Sequence, residues 1–154
     1  MPDDLYERDI LSWAEQQANL MRRLANGERV NDAVDWPHLI EELQDVGLSE
    51  LRACESLLRQ ALVHILKLHL WPDGPVAHWR GEVVGFLSDA QSRFTPSMRQ
   101  RISVDALYSK ALRQVRAEAR EQLAPDTCPF TLDDLMSGDA DAETLVSRLG
   151  QRQQ

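Results

Sequence analysis

From Leu51 to Ile65 the apolar residues fall at Leu51, Cys54, Leu58, Ala61, Leu62 and Ile65. That three-and-four spacing draws one continuous stripe along an α-helix. Nearly all of the remaining chain reads the same way, with no internal repeat and no low-complexity segment. The spacing therefore predicts an all-α protein, an antiparallel helical bundle of about five main helices with a short helical C-terminal tail.

Glycines and prolines divide the pattern. The first helix starts at a cap from Asp3 or Asp4 and carries Tyr6, Ile10, Trp13, Leu20, Met21 and Leu24 on one face. Asn26-Gly27 stops it, because glycine tolerates the left-handed turn after a helix. Asp35 caps a second helix with Pro37 in its first turn, where a missing N–H costs nothing. Its stripe of Trp36, Leu39, Ile40, Leu43 and Val46 is expected to be core, and Gly47 is expected to end it. Ser49 opens a third helix to about Leu70, broken by Trp71-Pro72-Asp73-Gly74-Pro75. A fourth runs over about Val76 to Phe94, and Thr95-Pro96 starts a fifth region that reaches about Leu123 with a kink near Ser103. Pro125 to Phe130 links it to a short helix opened by a Thr131/Asp134 capping box. A last helix holds Leu145, Val146 and Leu149. Residues 1–125 are expected to form the bundle, and 126–154 a turn-rich acidic segment packed on the same domain.

The 154 residues suffice for one domain with a sizeable core. No apolar run approaches the roughly 18 residues of a membrane span, and the acidic start MPDDLYERD lacks the order of a signal peptide. Cys54 and Cys128 have no metal-type spacing, which fits a reducing cytoplasm. A net charge of −8 argues against general nucleic-acid binding. Charge is also segregated: Arg113, Arg116 and Arg120 share a helix face, and no Lys or Arg follows until Arg148. The acidic tail is expected to fold back along that stripe, or both to be solvated.

A few polar residues do not fit the surface of a bundle. In DWPHLIEELQDVG, Glu41 points away from the apolar stripe, but Glu42 lies at its edge. Asp9 sits at the margin of the first helix's apolar face and His64 at an edge of the third. Buried without partners, such groups would cost several kcal/mol. Asp9, Glu42 and His64 are expected to meet if the first three helices pack together, with Lys67 and Arg80 supplying positive charge. A register-fixing network is the leading reading of this cluster; a binding or catalytic pocket is the alternative. No metal or cofactor is expected. His64 and His69 are badly spaced to chelate one ion from a regular helix, and no H-E-x-x-H, nucleophile elbow or glycine-rich phosphate loop is present.

Several motifs line up in order. They are DxxxW at Asp9 and Trp13, DWxxLIEEL with a following glycine at Asp35 to Gly47, HILK at His64 to Lys67 with Pro72 after it, and Trp79. PSM at Pro96 to Met98, YxxA at Tyr108 to Ala111 and CPFTLDDL at Cys128 to Leu135 complete the series. In these the chain resembles the bacterial domain-of-unknown-function family 29 (DUF29) over nearly its whole length. Leu68 departs from the aromatic residue associated with the family, a change of packing. The resemblance implies a compact helical bacterial protein and carries over no catalytic residue. It also places Asp9, Glu42, His64 and Lys67 inside family motifs.

The function expected from this sequence is that of a small cytoplasmic module that binds another protein, with a regulatory role. A homo-oligomer is compatible with it and a membrane location is not. The alternative is a hydrolytic, metal-assisted enzyme using Asp9 and Glu42 as acid, base or ligand and His64 as base or ligand.

Overall fold

A computed structural model describes residues 5–118 and 124–151, and every regular element among them is helical. In chain order these are α1 (Leu5–Arg8), α2 (Ile10–Ala25), α3 (Trp36–Leu70), α4 (Val76–Arg93), α5 (Val104–Glu118), α6 (Leu132–Met136) and α7 (Ala142–Gly150). Single 3₁₀ turns stand at Asn31–Ala33 and Pro96–Met98. The all-α expectation holds, but the main helices are divided differently. The expectations at Asp3, Asp4, Arg120 and Leu123 concern positions outside the described residues.

Two boundaries are corrected. Gly47 does not end a helix, and Ser49 does not start one; α3 runs unbroken for 35 residues, about 52 Å at 1.5 Å per residue. Gly47 keeps a negative φ, whereas Gly27, at φ 89°, adopts the left-handed turn that terminates α2. A glycine inside a helix costs about 1 kcal/mol relative to alanine, and good helix formers on either side of Gly47 outweigh that. The first helix, in turn, is two. Asp9 has an extended φ of −152° and its carboxylate accepts the backbone N–H of Ser12. A short acidic side chain competes with the helix ladder in this way and becomes a cap. The expected kink near Ser103 is a full break, with the Ser103 hydroxyl accepting the N–H of Ala106 at the start of α5.

The chain divides into two compact units, Met1–Leu48 and Ser49–Gln154. In the first, the buried side chains among the described residues are Trp13, Gln17, Leu20 and Val34. In the second, the α3 stripe of Cys54, Leu58, Ala61, Leu62 and Ile65 is wholly buried with Val83, Leu87 and Ala90 of α4 and Leu107, Tyr108, Ala111 and Val115 of α5. Phe130, Leu135, Leu145 and Leu149 join this same core. The Tyr108 hydroxyl donates to the Pro125 carbonyl at 2.6 Å, tying α5 to the link that follows it.

The tail is pinned at its surface as well. Thr131 and Asp134 form the expected capping box, and Asp141 caps α7. Arg116 reaches Asp126 at 2.6 Å, Arg99 reaches Asp133 at 2.7 Å, and Arg80 reaches Glu143 at 3.2 Å. Such half-exposed pairs contribute ~0–1 kcal/mol each, so the buried leucines hold the tail and the arginines set its position.

Candidate functional site

The stripe expected to be core at the start of α3 is solvent-exposed except at Leu39, which is half-buried. Trp36 is 43% exposed, Ile40 55%, Leu43 74% and Val46 66%. The cause lies on the other side of the helix. His38 and Glu42, one turn apart, lie roughly 120–160° around from Trp36 at 100° per residue, and they make the contacts to α1 and α2. The Tyr6 hydroxyl donates to Glu42 Oε1 at 2.6 Å, and its ring stacks on His38 with centroids 3.9 Å apart and planes 15° apart. Asp35 accepts the Trp13 indole N–H at 2.9 Å and contacts His38 Nδ1 at 2.7 Å. Gln17, buried on α2, accepts the Asp35 backbone N–H at 2.8 Å. A polar and aromatic clasp thus holds the first unit together, and the apolar stripe faces water. Trp36 itself is fixed by its indole N–H, which donates to the Asn31 carbonyl at 2.9 Å.

These contacts set the charge states. Hydrogen bonding to Glu42, with burial and the Glu42 charge added, pushes the Tyr6 phenol up to about 12. The hydrogen bond to Asp35 raises the His38 imidazole against the downward pull of burial. Burial pushes the Asp35 carboxyl up, but hydrogen bonds from His38 and Trp13 outweigh it and the net shift is downward. The contact therefore favours the charged form of both partners, the Asp35 carboxylate and the His38 imidazolium.

The five residues singled out in the sequence divide between the units. Asp9 and Glu42 belong to the first, Asp9 as the α2 cap bonded to Ser12 and Glu42 as the acceptor for Tyr6. His64, Lys67 and Arg80 belong to the second. His64 Nδ1 meets the Gln60 carbonyl of its own helix at 2.7 Å, and its ring leans on Phe86. Lys67 lies 3.7 Å from Glu118, and Arg80 pairs with Glu143. Among the described residues, no three His, Cys, Asp or Glu side chains gather into a set that could hold a metal ion.

Lys67 also lines a cleft of about 510 Å³ in the second unit, with Leu70, Trp71, Pro72, Asp73, Gly74, Trp79 and Glu118. The breaker after α3 builds it by folding the chain back, so that Trp71 and Trp79 stand with centroids 6.5 Å apart and planes inclined at 55°. A Cβ on Gly74 would lie 2.5 Å from the Trp79 ring; only glycine lets that ring lie so close to the turn. Sequence reasoning took WPDGP as punctuation and Trp79 as core pattern. Two tryptophans placed on either side of a tight turn were the signal for a shared wall.

The fold and these surfaces define an all-helical protein with an aromatic cleft in one unit and an exposed apolar helix face in the other. The chain belongs to the family described as domain of unknown function DUF29, whose model matches residues 5–140. It is similar, at 32% identity and a TM-score of 0.71, to a crystal structure of an alpha-helical protein of unknown function from Rhodospirillum rubrum, over 94% of this chain and 96% of that one. No curated protein matches it. Among the described residues, no helix is long and apolar enough to cross a membrane.

Proposed function

We propose that this protein acts by binding another protein, whose amphipathic helix with basic flanks lies on the exposed apolar face of α3. The observation that carries this reading is the placement of the exposed large apolar side chains. They are Ile10, Leu11, Trp36, Ile40, Leu43, Val46 and Val84, and all but Val84 lie in the first unit. Isolated exposed leucines are ordinary, but a contiguous stripe marks an interaction surface. Trp36, Ile40 and Leu43 follow the i, i+4, i+7 spacing by which helices recognise one another.

Charge selects the partner. Between Asn31 and Leu51 the chain carries Asp32, Asp35, Glu41, Glu42, Asp45 and Glu50 and no Lys or Arg. Glu41 and Asp45 lie on the far side of α3 from the stripe, so they act through the field of the whole segment: two copies, each acidic there, repel on approach, whereas a basic helix is attracted and steered to it. Asp9 and Glu42 act in this reading as architecture of the unit that carries the face, and His64 as a packing residue of the second unit. The working location is the cytoplasm, where Cys54, buried on α3, stays reduced.

The test is titration of the protein with a synthetic Leu/Lys amphipathic helix, followed by calorimetry and by the fluorescence of Trp36. Binding is expected to weaken about tenfold or more on Leu43→Asp and steeply with salt, as exposed charge attraction does, and to be unchanged by Val84→Asp. Absence of binding, or binding indifferent to Leu43→Asp, would overturn the proposal. So would a concentration-dependent dimer of the protein alone that Leu43→Asp dissolves, since that makes a second copy the occupant.

A further inference from the structure

The tryptophan cleft lies in the second unit and is independent of the face on α3. We infer that it is a binding site for a free α-amino acid with an aromatic side chain. Its volume of about 510 Å³ falls in the ~300–1,000 Å³ range of small-ligand sites. Trp71 and Trp79, both half-buried and inclined at 55°, form an aromatic wall of the cleft against which a third ring can pack. Aromatic rings prefer such inclined or offset contacts to a flat sandwich. Gly74 keeps Trp79 in place against the turn, so the wall exists before a ligand arrives.

The polar groups on the rim specify the other end of the ligand. Lys67 offers an ammonium with three donors, and Glu118 and Asp73 offer carboxylates. Lys67 and Glu118 stand 3.7 Å apart, well beyond the ~2.7–2.9 Å of a charge-assisted hydrogen bond. Their pairing is loose enough to open. A ligand with an ammonium alone meets Lys67, and a ligand with a carboxylate alone meets Glu118 and Asp73. A zwitterion satisfies both, placing its carboxylate on Lys67 and its ammonium on Glu118 and Asp73. Its ring then leaves water for the tryptophans. The same geometry accounts for Lys67, which the sequence singled out and which the clasp of the first unit does not use.

The experiment is calorimetric titration of the full-length protein with L-phenylalanine, 3-phenylpropionate and phenethylamine, which share the ring and differ in the head group. Phenylalanine is expected to saturate a single site, and each one-charge analogue to bind about tenfold or more weakly, as for loss of one charge-assisted contact. In Lys67→Met the advantage of phenylalanine over phenethylamine should vanish while its advantage over phenylpropionate remains; Glu118→Gln should shrink the second advantage and keep the first. That crossed pattern cannot arise from partial unfolding, and circular dichroism of each variant checks the helices. Lack of saturation by phenylalanine below roughly 10 mM, weaker than typical metabolite sites, would overturn the inference. Phenethylamine or phenylpropionate binding as tightly as phenylalanine would overturn it too.

Discussion

Leu43 and Leu58 sit on one helix, fifteen residues apart, and should respond in opposite ways to the same change. Leu58 is fully buried. Its truncation to alanine removes three carbon centres from the core, about 2.4 kcal/mol at ~0.8 kcal/mol per group. The cavity left behind adds to that, for a total of ~3–5 kcal/mol. For a chain of this length each kcal/mol lowers the melting midpoint by ~2–4 °C, so Leu58→Ala should melt ~6–20 °C below wild type. Leu43 is 74% exposed, and Leu43→Ala should stay within ~0.5 kcal/mol of wild type, helped slightly by the higher helix propensity of alanine. Urea titration followed by circular dichroism at dilute concentration measures both. If Leu43→Ala loses as much stability as Leu58→Ala, the N-terminal stripe of α3 is buried in solution and the clasp is not what holds the first unit.

Three further outcomes follow from the clasp and the cleft. Gly74→Ala should displace the Trp79 ring, cost ~1–3 kcal/mol as overpacking does, and change the near-ultraviolet circular dichroism of the tryptophans; an unchanged spectrum would mean that the ring does not rest on the turn. In an NMR titration His38 should ionise above its usual 6.5 because Asp35 favours the imidazolium, and Asp35→Asn should bring it back down. Since the folded value of His38 is raised and that of Asp35 lowered, the contribution of the pair to stability is complete between pH ~4 and ~6.5, fades as pH climbs through the folded value of His38, and is lost in acid as Asp35 protonates; a His38 at or below its usual value contradicts this. In an ultraviolet titration Tyr6 should ionise only at about 12, and Glu42→Gln should return it toward 10; a normal Tyr6 in the wild type would remove the hydrogen bond to Glu42 from the clasp.

The sequence carried most of the fold because helix periodicity and proline are local signals. The stripe from Cys54 to Ile65, the break at WPDGP and the Thr131/Asp134 box are all where their residues place them. Gly27 and Gly47 were not separable in that way. Both follow a helical pattern, but only Gly27 takes a positive φ, and whether a glycine does so depends on what the chain beyond it can pack against. The α3 stripe was misread for a related reason. A helix with an apolar side and a side bearing His38 and Glu42 has two surfaces able to dock, and Tyr6 and Trp13 complete the polar one through contacts 22 to 36 residues apart. Asp9 looked like an edge carboxylate because its capping role appears only when the helix breaks in front of it. The cleft was invisible for the same reason as the clasp: Trp71 and Trp79 acquire meaning once the turn brings them side by side.

The continuity of α3 through Leu48 and Ser49 has a kinetic consequence. The first unit buries few apolar side chains, chiefly Trp13, Leu20 and Val34, and chains of fewer than about 40–60 residues rarely sustain themselves on so little. Its helix does not have to begin from coil, because the far end of the same helix is anchored in the larger core. The unfavourable first turn, with its equilibrium constant of ~10⁻³, is formed elsewhere, and residues 36–48 only add one bond at a time to an existing template. Residues 36–48 can therefore regain their helix rapidly by extension of the turns beyond Leu48, like a zipper whose slider never leaves the track.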